Sequence, residues 1–184
     1  MKQLLLYSLF LLISCNIFGQ VTLPKDSTFI NPKKNAIYLE AGGTGGFYSV
    51  CYDRIVAVKR KRKDTFSIGA SYAMGSSLSA NDLQIFTLPF SRNSIYNNFL
   101  ELGLGFTPGV VIQKRRAYHH GFSSDYTEIS PLFLFVPKLG LRYQKNTGGI
   151  FLRAAFTPLI SVTNSSFFSS RFFPWGGLSA GWSF

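Results

Sequence analysis

The chain has 184 residues, which is enough for one domain. Aromatic residues make up 16% of it and include 19 Phe, and Gly is also plentiful. Charged residues make up only 15%, against about 25% in an ordinary globular protein. This composition suits strands in a bilayer better than a water-facing domain. The formal net charge of +11 would suit nucleic acid, but an exported chain rarely meets nucleic acid, and the N-terminus predicts export.

Residues 1–19 have the pattern of a cleavable secretory signal. Lys2 supplies a positive charge, and residues 4–13 form an apolar segment that is followed by small residues. The segment is too short to span a bilayer as a helix, which needs about 20 residues. We expect cleavage between Gly19 and Gln20.

A lipoprotein signal is the alternative, because residues 12–15 fit its loose pattern and Cys15 would then carry the lipid. If Cys15 leaves with the signal, Cys51 is the only remaining cysteine, and no disulfide can form within the chain. Residues 20–35 show no periodicity and are expected to form a periplasmic lead-in before the domain at 36–184.

Apolar residues alternate with small or polar ones along much of residues 36–184, and this period of two predicts β-strands. The glycine-rich residues 42–46 predict a turn between the first two strands, whereas one long strand across the glycines would reduce the count from eight to seven. Pro89 lacks a ladder donor and predicts a bulge or a strand end. The eight predicted strands contain residues 37–41, 48–52, 66–74, 86–90, 100–106, 133–143, 150–156 and 178–184.

The connections between these strands differ in length between the two ends of the predicted sheet. Turns are expected at one end and, for the most part, longer loops at the other. The turns cover residues 56–64, 92–98 and 144–148, and the outer loops cover residues 43–46, 75–82, 113–128 and 161–173.

The last strand shows the alternation clearly and ends on an aromatic residue. Four apolar residues share one face, opposite Gly and Ser: Leu178, Ala180, Trp182 and Phe184. A final strand of this kind resembles the insertion signal of small Gram-negative outer-membrane β-barrel proteins of the OmpA/OmpX type. The resemblance implies an all-β, eight-stranded, antiparallel, up-and-down transmembrane β-barrel, in which this strand pairs with the first one near residues 37–41.

The resemblance also implies where the protein lies and what it meets. We expect an outer-membrane location, with outer-membrane lipids and lipopolysaccharide as neighbours and with barrel-assembly and periplasmic chaperone machinery as partners. The basic residues 59–63 and 114–116 would lie in turns and loops at the membrane surface. A soluble, lipocalin-like barrel is the alternative fold, and it would place apolar residues inside.

If the apolar faces meet lipid, three acidic and three basic residues of the strands point inward. An eight-stranded barrel is only wide enough for side chains to fill it, and charges there are costly unless they are paired. The sequence therefore predicts an interior salt-bridge network, with a position at the aqueous rims as the alternative for some of its members. The six residues are Glu40, Asp53, Glu101, Lys138, Arg142 and Arg153.

These features predict a non-enzymatic protein with a structural or surface-interaction role, with no cofactor and no metal. A small-solute channel is an alternative, and so is a lipid-modifying enzyme of the lipid A deacylase type. The candidate catalytic residues lie in the predicted loop 113–128 and lack the His-x-Ser spacing: His119, His120, Ser123, Ser124 and Glu128. Aromatic residues beside basic ones at 121–126 and 167–173 would suit an extracellular ligand or an interfacial aromatic girdle.

Overall fold

The computed structural model describes residues 33–77, 80–119, 122–163 and 171–184, and it is all-β. Eleven strands and one short 3-10 turn (Gly43–Gly45) account for nearly all of these residues. No helix among them is long and apolar enough to cross a membrane. The strands are β1 (Asn35–Gly42), β2 (Tyr48–Lys59), β3 (Arg62–Ser77), β4 (Ala80–Thr87), β5 (Phe90–Tyr96), β6 (Leu100–His119), β7 (Phe122–Gln144), β8 (Gly149–Phe156), β9 (Leu159–Ser161), β10 (Phe172–Phe173) and β11 (Gly176–Ser183).

All strand pairs are antiparallel, and the pairing closes on itself. Each strand pairs with its neighbour in the chain or with that neighbour's continuation, and β11 returns to β1. The ring has eight positions, because β4 continues as β5, β8 as β9 and β10 as β11. The prediction of eight antiparallel strands therefore gives the right number of positions, although the structure divides three of them in two.

Proline explains one of the breaks within a ring position. Leu88 and Pro89 interrupt the strand between β4 and β5, as the missing donor of Pro89 predicts. The Pro89 carbonyl still accepts a hydrogen bond from the backbone N–H of Gly69 (2.8 Å), and the N–H of Leu88 donates to Pro108 (2.9 Å). The sheet thus stays continuous across the break.

The predicted contact between the first and the last strand is confirmed. Leu39 lies opposite Ala180, and the seven paired positions run from Ala36 to Gly42 along β1. Beyond them, Asn35 and Phe184 exchange two backbone hydrogen bonds of 3.1 and 2.8 Å. The alternative of seven strands is wrong, because the turn Gly43–Gly45 separates β1 from β2 and these two strands then pair with each other.

Several strands extend further than the apolar pattern predicted. The turn expected at 56–64 is only Arg60 and Lys61, since β2 ends at Lys59 and β3 begins at Arg62. The loop expected at 113–128 is mostly strand, with Gln113 opposite Glu128. Backbone pairing continues there through a mostly polar sequence without apolar alternation, so the sequence pattern does not predict it. The turn expected at 92–98 is shortened in the same way by β5, and the loops expected at 75–82 and 161–173 are shortened by β3, β4, β9 and β10.

Apolar side chains cover the outside of the ring. On β11, Leu178 and Trp182 are 66% and 59% exposed, whereas Ser179 and Ser183 are 5% and 1% exposed. The same alternation occurs on the other ring positions, where the outward residues include Leu39, Val50, Ile68, Phe86, Leu104, Leu141 and Leu152. An apolar outside is the reverse of what the lipocalin-like alternative requires.

Candidate functional site: the filled interior of the ring

The six charged residues that alternation placed inside the ring are all buried, with at most 3% of each exposed. They come from β1, β2, β6, β7 and β8, so the closure of the ring brings them together from distant parts of the chain. We call this set the charged layer; its members are Glu40, Asp53, Glu101, Lys138, Arg142 and Arg153.

Arg142 makes the most complete set of contacts in the charged layer. Its Nη2 and Nη1 donate to the two carboxylate oxygens of Asp53 at 2.9 and 3.2 Å, the forked geometry that suits a guanidinium. Its Nε and Nη2 also donate to Oε1 of Gln144 at 3.1 and 2.6 Å. The hydroxyl of Thr65 donates to Asp53 Oδ2 at 3.1 Å. This buried charge pair therefore has hydrogen bonds on both sides.

Arg153 holds the other half of the charged layer. Its Nη2 donates to Glu40 Oε1 at 2.6 Å, and its Nη1 donates to Glu101 Oε1 at 3.4 Å. The second oxygen of Glu101 lies 3.7 Å from Nη1 of Arg142. Arg142 and Arg153 face each other directly between β7 and β8, where like charges would repel. Glu101 offsets this repulsion, because its carboxylate accepts a hydrogen bond from Arg153 and lies within ion-pair distance of Arg142.

Two aromatic rings complete this layer, and the sequence reasoning did not assign them a role. Tyr38 and Phe151 stack with 4.8 Å between ring centroids. The guanidinium carbon of Arg153 lies 4.6 Å from the Tyr38 centroid, and that of Arg142 lies 4.7 Å from the Phe151 centroid. Cation–π contacts of this kind are strengthened by desolvation. The alternation that gave the charged set also places both rings inside, so it could have found them.

Lys138 lies in the charged layer without an ion pair at 4 Å or less to any described residue. Its Nζ donates to Ser91 Oγ at 3.4 Å. Ser91 also shares a 2.6 Å hydrogen bond with Ser67 and accepts from the amide of Asn93 at 3.3 Å. The structure thus joins five of the six charged residues directly and holds the sixth among hydroxyls and an amide.

The glycine-rich turn between β1 and β2 folds into the ring, which corrects the expectation of an outer loop at 43–46. Gly42, Gly43 and Gly46 have positive φ angles, which glycine adopts easily. At Gly43 a side chain would also overlap the carboxyl of Glu40. Glycine is therefore required for the chain to turn inward here.

Hydrogen bonds from four sides hold this turn across the interior. The backbone N–H of Thr44 donates to Glu40 Oε2 at 3.1 Å, so the turn is attached to the charged layer. The Thr44 carbonyl accepts from Thr107 at 2.9 Å. The carbonyls of Gly45 and Gly46 accept from Thr87 at 3.1 Å and from the Trp175 indole at 2.9 Å.

Beyond the turn the interior becomes apolar. Phe173 and Trp175 pack against a cluster of buried residues that comprises Ala73, Leu83, Ile85, Val111, Leu132, Leu134, Val136 and Leu159. The sequence pattern predicts the inward charges but not this cluster, because strands such as β7 carry apolar residues on both faces in this half. The described interior therefore consists of a charged layer, a glycine turn and an apolar cluster, stacked along the ring.

The candidate catalytic residues lie away from this interior. His119, Ser123 and Ser124 belong to β6 and β7, and not to a loop, and Glu128 lies opposite Gln113 on the same hairpin. His120 lies outside the described residues. Nowhere in the described ranges do three His, Cys, Asp or Glu residues group closely enough to hold a metal ion.

The remaining predicted positions lie at the two ends of the chain. Cys15, Gly19 and Gln20 are outside the described residues, as is most of the lead-in at 20–35. The four apolar residues of the terminal strand, Leu178, Ala180, Trp182 and Phe184, are all exposed on the outside of the ring. No known protein family, no curated protein and no solved structure matches the chain.

Proposed function

We propose that this chain is an integral outer-membrane protein whose ring of strands is a transmembrane β-barrel with a structural or surface-interaction role. One observation carries the proposal: all eight ring positions present apolar side chains outward, while buried charges pair inside. Each ring position contributes at least one outward apolar residue that is between 42% and 66% exposed. These eight residues are Leu39, Val50, Ile68, Phe86, Leu104, Leu141, Leu152 and Leu178.

Water is a poor solvent for such a surface. The largest apolar patch on a typical soluble monomer covers roughly 300–600 Å², and here apolar residues surround the ring. In a bilayer the same surface meets acyl chains, and closure of the ring leaves no backbone edge unpaired in the hydrocarbon. The paired charges also favour this reading, since an interior network lets the chain carry charges at membrane depth away from lipid.

The height of the apolar surface supports a bilayer as well. Arg92 on β5 lies opposite Leu104 on β6, and the next outward charge along β6 is Lys114. The ten residues from Leu104 to Lys114 rise by about 26 Å at roughly 3.4 Å per residue and a strand tilt near 40°. The apolar band of outer-membrane barrels is about 25 Å tall. Arg92 and Lys114 would thus mark its two boundaries.

The filled interior favours a non-conducting barrel over the small-solute channel. Ion pairs, the turn Gly43–Gly45 and the apolar cluster occupy successive levels, so water and ions would find no continuous path. A surface role is supported by the hairpin β6–β7. Among the described strands, β6 pairs with β4 only as far as Lys114 and then continues with β7 alone to His119. In the proposed orientation this hairpin extends past the outer boundary of the membrane and offers a surface to an extracellular ligand.

Membrane fractionation combined with an unboiled gel tests the proposal. The protein is expected to stay in the pellet after membranes are washed with urea, and to migrate faster unboiled than boiled because the folded barrel resists detergent. Recovery in the aqueous fraction would overturn the membrane assignment. In planar bilayers we expect no steady conductance, and ohmic channels in the wild-type protein would instead favour the channel.

A further inference from the structure

The end of the ring that is formed by the connections at residues 60–61, 97–99 and 145–148, here called the turn end, is strongly basic. The hairpin β2–β3 places five consecutive basic residues, 59–63, at this end, and Lys33, Lys34 and Lys145 are exposed beside it. Asp64 is the only acidic residue of this end in the described chain, and it already accepts from Arg62 at 2.9 Å and from Ser94 at 2.7 Å. The excess positive charge here is therefore not balanced by the protein.

Two arginines of this basic end stand on the outer wall itself. Arg54 on β2 and Arg92 on β5 each lie directly opposite Phe66 on β3, so the three residues form one row across adjacent strands. All three side chains are exposed on the outward face. Strands are about 4.8 Å apart, which puts the two arginine backbones about 10 Å from each other with the Phe66 ring between them.

The row lies at the edge of the apolar surface. On the C-terminal side of Phe66, the outward residues of β3 are apolar from Ile68 to Met74. On its N-terminal side, the strand begins at the basic turn. Neither arginine forms an ion pair within the part of the chain that the structure describes. A charge on the lipid face is costly near the midplane but not near the interface, so this pair suits the depth of the headgroups.

We propose that Arg54, Phe66 and Arg92 form a binding site for an anionic phospholipid in the leaflet at the turn end of the barrel. The two guanidiniums bind the lipid phosphate by charge-assisted hydrogen bonds, and the acyl chains lie along the apolar wall above Phe66. The site rests on the proposed membrane function. A phospholipid is the occupant because it supplies a phosphate and an acyl chain at the same boundary, whereas free phosphate supplies only the first.

Quenching of the protein's tryptophan fluorescence by brominated lipids tests the site. The protein is folded into vesicles of phosphatidylcholine with increasing phosphatidylglycerol, with bromine on one lipid or the other. The wild-type protein should favour phosphatidylglycerol by about thirtyfold, the preference that two basic residues near an anionic surface provide. The variant Arg54→Gln/Arg92→Gln should lose most of this preference, and Arg54→Lys/Arg92→Lys should lose part of it, because lysine keeps the charge but not the fork.

The matched control is Lys33→Gln/Lys145→Gln, which removes the same charge from the same end but not from the wall. This control variant should keep most of the preference for phosphatidylglycerol. In the wild-type protein, 10 mM inorganic phosphate should not reduce that preference. Equal losses in the control and in the arginine variant would overturn the site in favour of general surface charge, and competition by phosphate would overturn the choice of a lipid. Absence of quenching by either lipid would instead contradict membrane insertion itself.

Discussion

The substitution Asp53→Asn tests whether the charged layer stabilises the fold. It keeps the shape of the side chain and one acceptor oxygen but removes the charge that faces Arg142. Arg142 and Asp53 are 1% and 0% exposed in their side chains, so the guanidinium cannot be solvated by water instead. Breaking a buried pair by removing one partner typically costs 3–5 kcal/mol.

The structure places the expected cost at the lower end of that range. Arg142 keeps its two hydrogen bonds to Gln144 and its 3.7 Å contact with Glu101. We therefore expect a loss of about 3 kcal/mol in the free energy of unfolding. At a urea m-value of about 2 kcal/mol/M this shifts the unfolding midpoint by about 1.5 M. Tryptophan fluorescence of the protein in vesicles across a urea series measures it.

Two further variants complete this experiment. Asp53→Asn/Arg142→Gln removes both partners, and its loss should be smaller than the sum of the single losses by at least about 2 kcal/mol. Asp64→Asn is the matched control, because its partner Arg62 is 35% exposed at the end of the ring and should tolerate the loss of charge with a smaller shift. Additive losses, or an Asp53→Asn midpoint no lower than that of Asp64→Asn, would refute a coupled interior network.

Three other substitutions or reactions test the rest of the interior and the wall. Gly43→Ala should destabilise the protein by at least about 1–2 kcal/mol in the same urea series, because alanine is strained at positive φ and would overlap the carboxyl of Glu40. The control Gly75→Ala should be near neutral, because the added carbon meets open space. In the proposed transmembrane barrel, Leu39 lies near mid-membrane depth, so Leu39→Arg should cost about 2–4 kcal/mol, whereas Val56→Arg, between the arginine row and the basic turn, should cost about 0–1 kcal/mol. Equal losses would contradict the proposed depths. Cys51 is 5% exposed and should not react with a water-soluble maleimide until urea unfolds the chain, whereas rapid labelling of the folded protein would indicate a water-filled interior.

Alternation in the sequence was enough to predict which residues share a face. It placed Leu178 and Trp182 on the outside and Glu101 and Arg153 on the inside, because the period of two is a direct consequence of strand geometry. It also predicted that β11 pairs with β1, since a ring without free edges requires it. These features depend on local pattern and on closure, and both can be read without coordinates.

Other features depend on contacts that no local pattern reports. The hairpin β6–β7 continues through Lys114 and Glu128 by backbone pairing, which the alternation of side chains does not report. The turn Gly43–Gly45 folds inward because Glu40, on the strand before it, accepts its Thr44 N–H. Glycines in sequence predict a turn, but the direction of that turn is decided by hydrogen bonds from residues on β1, β4 and β6 and from Trp175, which lies between β10 and β11.

The separation of the interior into two halves has the same origin. Leu134 and Val136 on β7 are flanked on both sides by outward apolar residues such as Phe135, so the inward and outward sets look alike in sequence. Only the register of β7 with β6 and β9 places them together with residues such as Val111 and Leu159. A charge between apolar neighbours identifies the inward face directly, which explains why the charged layer was easier to predict than the apolar cluster.

Spin labelling along β11 tests most directly whether the apolar wall meets lipid. Single cysteines replace residues 178, 179, 180, 182 and 183 one at a time in a Cys51→Ala background, and the accessibility of each spin label to oxygen and to a water-soluble nickel complex is measured in vesicles. Labels at 178, 180 and 182 should be accessible to oxygen and protected from nickel, and labels at 179 and 183 should be protected from both. High nickel accessibility at 178, 180 and 182 would show that this wall faces water and would contradict the transmembrane barrel.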